Sequence, residues 1–249
     1  MSDKITGRVP VLEALKNNRA MERIVVLKNA EGSIKKILGA AKDKRIPVQY
    51  VERAALDRLS DGGRHQGVIA YVSEYGYAEI EDILKSAAEK EEAPFVVVLD
   101  GLEDPHNLGA IMRSGEGAGI HGVIVPERRA AGLTEAVAKA SAGAVEYVPV
   151  AKVPNITRAI EKLKAAGLWI AALDTGGDIW YSRDLTCGVA LVVGGEGKGL
   201  GRLVKENCDF VLSLPMNGNL TSLNASAAAA VLMYEARRQR LMAQSPVSC

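Results

Sequence analysis

The sequence predicts an α/β protein: a small N-terminal α/β domain followed by a larger domain built on a mostly parallel sheet. Three observations carry this. Segments such as "PFVVVLD" (94–100), "GVIVP" (122–126) and "GVALVVG" (188–194) are continuously apolar, the pattern of strands covered on both faces. Between them lie segments with helical spacing, so strands and helices alternate as in a layered α/β domain. The pattern is interrupted once, by the acidic, Ala- and Glu-rich stretch at 79–92, and then restarts. The boundaries that follow are 1–76 for the front domain, 77–92 for a helical linker and 93–249 for the larger domain.

In the front domain, 9–15 has the look of a short helix and "ERIVVLK" (22–28) of a buried strand. "SIKKILGAAKDK" (33–44) places Ile34, Ile37, Leu38 and Ala41 on one helical face. "IPVQYV" (46–51) and "GVIAYV" (67–72) are strands around a short helix at 53–59. In the larger domain a strand at 94–100 leads to a helix at 105–118, a strand at 122–126 and a helix near 133–141. "YVPV" (147–150), a helix at 155–166 and "LWIAALD" (168–174) follow. The strand at 188–194, a helix at 199–207, "DFVLSLP" (209–215) and a last helix complete it. Ligands of such sheets bind beyond the carboxyl ends of the strands. Attention therefore falls on the loops after Leu173, Val193 and Leu214.

Composition narrows the class. The chain has 249 residues, 48% hydrophobic and 24% charged, ordinary for a globular protein. No apolar run approaches the roughly 18 residues of a membrane span, and "MSDKITGRVP" lacks a signal-peptide core. Cys187, Cys208 and Cys249 have no C-x-x-C spacing, and the three histidines are scattered; no metal is expected, and the compartment reads as reducing cytoplasm. Residues 1–78 hold 14 Lys and Arg against 9 Asp and Glu, which suits a module that meets phosphate.

Two phosphate signatures fail on context. "GAGIHG" (117–122) matches G-x-G-x-x-G, but a helix precedes it and a strand follows, the reverse of a dinucleotide fingerprint. "GGEGKGLG" (194–201) resembles a P-loop, yet Gly199 stands where Ser or Thr must follow the lysine. Three other clusters remain, each at a strand's carboxyl end. "LDGLEDPHNLGAIMRSGEGAG" (99–119) opens a helix with Asp104 as N-cap and Pro105 at the first helical position. Ala110, Arg113 and Gly117 share a stripe of that helix with little bulk, suiting a guanidinium approached by substrate. "LVVGGEGKGL" (191–200) sets glycines around Glu196, letting backbone approach a ligand or a second loop. "LPMNGNLTSLNASAAAA" (214–230) carries far more amide and hydroxyl groups than a helix cap uses.

Together and in this order, the clusters resemble the SpoU (TrmH-type) family of RNA 2′-O-ribose methyltransferases in the SPOUT superfamily. Its N-x-x-A-x-x-R motif stands as Asn107, Ala110 and Arg113, its G-x-E motif within "LVVGGEGKGL". The last motif stands as Pro215-Met216-Asn217-Gly218 with Ser222-Leu223-Asn224-Ala225-Ser226, where Ala225 replaces the usual valine. "RHQGVIAYV" (64–72) resembles part of the substrate-binding domain of RlmB-type enzymes acting on a 23S rRNA guanosine. The resemblance implies a deep C-terminal trefoil knot, S-adenosyl-L-methionine as cofactor, and a homodimer formed by the C-terminal domain. It implies ribosomal RNA as partner, with no DNA and no membrane. Asn107, Arg113, Glu196, Ser222 and Asn224 would be catalytic, and Gly194, Leu214, Met216 and Leu223 would hold the cofactor. Methylation of tRNA or another rRNA site is the nearest alternative, and a non-catalytic ribosome-assembly protein the more distant one. The alanines of 227–230 are expected to pack tightly in the knot and dimer seam.

Overall fold

A computed structural model describes residues 3–244 apart from 31, 61, 63, 73, 74, 196 and 198. The chain divides into two compact units, Met1–Gly76 with Gly132–Tyr147, and Tyr77–Ala131 with Val148–Cys249.

The first unit begins with β1 (Asp3–Thr6), α1 (Arg8–Lys16), β2 (Met21–Leu27) and α2 (Ile34–Asp43). It continues with β3 (Val48–Val51), α3 (Arg53–Leu59) and β4 (Val68–Val72). Its sheet has the order β1-β4-β2-β3, with β2 and β3 parallel and β4 antiparallel to both neighbours. On one face Val11, Ala14 and Leu15 of α1 and Ile34, Ile37 and Ala41 of α2 pack on Ile24, Val26, Val68 and Val72. On the other, Leu56 of α3 covers Val25 and Ile69. The helical face expected at 33–44 is therefore the buried one. β1 was not foreseen: four residues, "DKIT", are too short for alternation to declare itself.

The second unit opens with α4 (Ile80–Glu89), β5 (Phe95–Asp100), α5 (Pro105–Ala118) and β6 (Gly122–Pro126). Next come α6 (Glu135–Ala140) and a 3-10 turn at Ala144–Glu146, both within the segment that groups with the first unit. There Glu146 accepts from Arg19 at 3.1 Å and from the Tyr75 hydroxyl at 2.9 Å, with the Arg19 guanidinium 3.2 Å above the Tyr75 ring. The second unit resumes with β7 (Val150–Val153), α7 (Ile156–Ala165), β8 (Trp169–Ile179) and β9 (Val189–Gly194). It closes with α8 (Arg202–Glu206), β10 (Phe210–Ser213) and α9 (Ala225–Gln244).

Its six strands, in the order β10-β8-β9-β5-β6-β7, are parallel throughout. The continuous apolar runs are explained by this arrangement: Phe95, Val96, Val97 and Val98 in β5 and Val189 to Val192 in β9 are almost wholly buried. The stretch expected as a linker carries α4, whose Ile80 and Ile83 join the same core as Val96 and Ile124. The segment "YVPV" is not a strand over 147–150; β7 starts at Val150. Pro149 has no N–H to donate, and only its carbonyl is used, accepting from Val123 at 2.9 Å. α8 is shorter than the helix expected at 199–207, because the glycines through Gly201 form the loop before it. β8 is longer than expected: after Leu173 it leaves β9 and continues beside β10 to Ile179.

The last helix is fastened to the start of the central strand. The Arg240 guanidinium donates to the carbonyls of Ala93 at 2.8 Å, Pro94 at 3.2 Å and Cys187 at 2.7 Å, and lies 4.8 Å from the Phe95 ring centre. No helix among the described residues is long and apolar enough to cross a membrane.

Candidate active site and cofactor cleft

The central strands β5 and β9 run side by side, but the chain enters them from opposite directions along the sheet. Their following loops therefore meet at a topological switch point, where open α/β sheets bind ligands. The Gly195 N–H donates to the Asp100 carbonyl at 2.8 Å, and the Gly199 N–H returns to the Gly195 carbonyl at 3.1 Å. The Gly201 N–H completes the arch by donating to Asp100 Oδ2 at 2.8 Å. Glycine is required at two points of it. A Cβ on Gly194 would strike the Gly199 carbonyl group, and one on Gly195 would strike the Gly101 carbonyl.

A cleft lies on each side of the arch. One, of about 560 Å³, is walled by Leu173, Val193, Leu214 and Leu223, with Asp174, Thr175, Thr221, Ser222 and Asn224 among its polar groups. Such a volume is within the roughly 300–1,000 Å³ usual for small-molecule sites. The other, of about 610 Å³, is lined by Asp100, Glu103, Asp104 and Asn107 together with Arg128 and Arg129. A side-chain hydrogen bond joins the two: Asn224 Nδ2 donates to Asn107 Oδ1 at 2.9 Å. Asn107 is 5% exposed, on the buried side of α5. Asn224 also starts α9, its Oδ1 accepting from the Ser226 N–H at 3.0 Å and the Ser226 hydroxyl at 2.6 Å.

The structure thus brings together seven of the nine site residues expected from sequence. Gly194, Leu214, Met216, Ser222, Leu223 and Asn224 line the first cleft and Asn107 the second. Glu196 lies outside the described residues. Arg113 lies six residues after Asn107 on α5, about 9 Å along the axis at 1.5 Å per residue. It is exposed and lines neither cleft. At Gly117, the far end of its stripe, the space expected for substrate is filled. A Cβ on Gly117 would lie 2.7 Å from the Tyr234 hydroxyl, so that glycine admits α9. Gly115 makes room instead for Ile120, whose Cγ1 would lie 3.0 Å from its Cβ, while Met233 Sδ of α9 would be at ordinary contact, 3.5 Å.

Residues 94–234 match the model of the SpoU rRNA methylase family, and residues 4–78 match the RNA 2′-O ribose methyltransferase substrate-binding model. The chain is 48% identical over 240 residues to YacO of Bacillus subtilis, assigned to the TrmH family of tRNA/rRNA methyltransferases, covering 96% of each chain. The chain belongs to the SpoU rRNA methylase family. Among solved structures it is similar to the SpoU methyltransferase AviRb from Streptomyces viridochromogenes, with a TM-score of 0.82 at 26% identity, covering 97% of this chain and 91% of that one. AviRb in complex with AdoMet aligns with a TM-score of 0.80 at 26% identity, over 96% and 90% of the chains.

As a SpoU-family member the chain is an RNA methyltransferase, and the family's cofactor is S-adenosylmethionine. The first cleft fits that molecule: apolar walls, a glycine backbone that leaves main-chain groups accessible, and polar side chains among its lining. Several residues of this SpoU site were not singled out from sequence. Asp100 holds two limbs of the arch, although it ends the apolar run that opens the first motif. Asp174 sits where β8 parts from β9, accepting from Lys205 Nζ at 2.6 Å and the Thr175 N–H at 2.7 Å. Burial pushes its pKa up, but Lys205 and the Thr175 N–H outweigh this and hold it below the usual range. Arg128 and Arg129 follow β6; a basic pair at a strand's carboxyl end was the available signal.

Proposed function

We propose that the enzyme methylates the ribose 2′-hydroxyl of a guanosine in 23S rRNA, with residues 1–76 binding substrate and 93–249 performing transfer. The observation that carries this reading is the Asn107–Asn224 hydrogen bond, which joins a cofactor-sized cleft to one edged by arginines. The match of residues 4–78 to a 2′-O ribose methyltransferase substrate-binding model supports ribose as the acceptor.

S-adenosylmethionine, held by the loops containing Gly194, Leu214, Met216 and Leu223, supplies a methyl group on a sulfonium that leaves as a neutral thioether. The chain's own task is to position the ribose and manage the hydroxyl proton. Arginine stays protonated in proteins, so Arg113 is no simple base. Exposed as it is, its guanidinium is available to the developing 2′-alkoxide and a neighbouring phosphate, which would take the proton onward to water. Asn107 and Asn224 orient the ribose, and Ser222 and Glu196 order the polar loops.

The same reading includes a deep trefoil knot and a homodimer through the C-terminal domain, in the cytoplasm with its rRNA. Val231, Tyr234 and Leu241 leave an apolar stripe on α9, exposed by 36%, 53% and 46%. Of the alanines expected in the knot and seam, Ala229 is buried within the fold and Ala228 lines the first cleft.

The test is a map of ribose methylation on RNA from cells with and without the gene. A 2′-O-methylguanosine of 23S rRNA is expected to vanish with the gene. Loss of a mark on tRNA or 16S rRNA instead would overturn the 23S assignment.

A further inference from the structure

The first unit has a cleft of its own, about 730 Å³, lined by Arg8, Arg53, Arg64, Leu27, Ala30 and the loop His65-Gln66-Gly67. Its parts are held in place before any ligand arrives. The Gly67 N–H donates to His65 Nδ1 at 3.0 Å, so the ring proton is on Nε2, 2.7 Å from Asp57 Oδ1 on α3. Arg8 Nε donates to the Gln66 carbonyl at 2.9 Å, and the Arg8 N–H to Gln66 Oε1 at 3.1 Å. Gln66 and Gly67 are both left-handed, with φ of 49° and 88°. A Cβ on Gly67 would press to 3.1 Å of Ile34 Cδ1, so the loop is closely seated on α2.

Against this fixed frame, Arg53 and Arg64 are exposed and form no ion pair or hydrogen bond among the described residues. Two uncommitted guanidinium groups therefore line the cleft beside the apolar Leu27 and Ala30, while Asp57, which also lines it, is engaged by His65. A planar apolar body joined to a phosphate matches that combination. Single-stranded RNA offers it, since its unstacked bases pack on apolar or guanidinium surfaces while arginine takes the phosphate. An acidic peptide would use the cations and leave the apolar side chains uncovered.

We propose that this cleft holds one unstacked nucleotide of the RNA substrate, its base over Leu27 and Ala30 and its phosphate between Arg53 and Arg64. The inference rests on the RNA-methyltransferase reading and deepens it by giving the front unit a defined nucleotide site.

The experiment uses the full chain, as wild type and as the double variant Arg53→Ala, Arg64→Ala. The probes are rRNA and, separately, tRNA from cells lacking the gene. For the RNA that binds, affinity at about 0.1 M salt is expected to fall at least roughly ten-fold. The slope of log affinity against log salt should flatten by about 1.4, because each single-strand phosphate an arginine neutralises adds about 0.7 to it. S-adenosylmethionine binding by calorimetry should not change, which establishes that the variant is folded. Ultraviolet crosslinking of wild-type complexes should place a nucleotide on peptides containing residues 27–30 or 64–67. Unchanged RNA affinity, crosslinks confined to the second unit, or an equal loss of binding to inorganic phosphate alone would overturn the proposal. Loss seen with tRNA rather than rRNA supports the cleft while overturning the 23S substrate.

Discussion

Asn224 uses both ends of its amide: Oδ1 caps α9 and Nδ2 donates to Asn107 Oδ1 at 2.9 Å. Local helix stability and the link between the two clefts are thus carried by one side chain. The two roles can be separated. Asn224→Ser keeps a good capping oxygen but is too short to reach Asn107, whereas Asn224→Ala removes both functions. Asn224→Ser is expected to melt near the wild-type temperature and to lose methylation. Asn224→Ala should lose about 1 kcal/mol of stability as well, read by chemical denaturation beside a single-turnover assay. Equal activity of Asn224→Ser and wild type would show that the amide link is only structural.

Arg113 is exposed and has no partner among the described residues, so its removal leaves no buried charge and no broken network. Arg113→Ala is expected to keep the wild-type melting temperature and cofactor affinity. Its methyl-transfer rate should fall by roughly a hundred-fold or more, the scale of losing one charge-stabilising donor. A variant with near-normal turnover would remove Arg113 from the reaction.

The contrast between these two residues shows how far sequence carries. The central strands were legible because parallel strands buried on both faces read as continuous apolar runs. Asp104 and Pro105 marked the start of α5, where the Asp104 side chain accepts from the His106 N–H. Legibility failed where position depends on partners distant in the chain. Gly117 looked like space for substrate because periodicity shows a helix face but not that Tyr234 fills it. Residues 132–147 follow β6 in sequence yet group with the first unit, through Glu146 with Arg19 and Tyr75. Asp100 and Asp174 acquire their roles from loops that converge from other strands, which no local pattern encodes.

Gly194 tests the arch directly. Its hydrogen faces the Gly199 carbonyl group and the Leu200 N–H, backbone that cannot step aside as a flexible side chain would. Gly194→Ala is expected to cost about 1–3 kcal/mol, the usual penalty of overpacking, and to abolish cofactor binding in calorimetry. Gly39→Ala is the counterpart, in the interior of α2 with nothing within 4 Å of the new methyl. It should stabilise by about 0.5–1 kcal/mol through helix propensity. Undiminished cofactor affinity in Gly194→Ala would mean that the arch can open without consequence.

His121 gives the fold a pH dependence whose sign follows from its surroundings. Its side chain is 2% exposed, and Nδ1 accepts from the Phe95 N–H at 3.0 Å, at the start of the central strand. Burial lowers its pKa, with Lys90 and Arg240 adding to the effect and Glu92 opposing it. Glu92 Oε2 stands 3.2 Å from Nε2, but the approach does not satisfy hydrogen-bond geometry and leaves Nε2 unpartnered. The folded protein therefore holds the neutral ring, while the unfolded chain protonates near the ordinary pKa of about 6.5. Below that value the unfolded state binds more protons, so this contribution is complete above about pH 6.5 and lost as pH falls through the lowered folded pKa. The melting temperature is expected to drop as the pH is lowered below about 6.5. His121→Asn, whose Oδ1 can take the Phe95 N–H in place of Nδ1, should flatten that portion of the curve. An Asn variant with the same slope as wild type would assign the acid sensitivity to other groups.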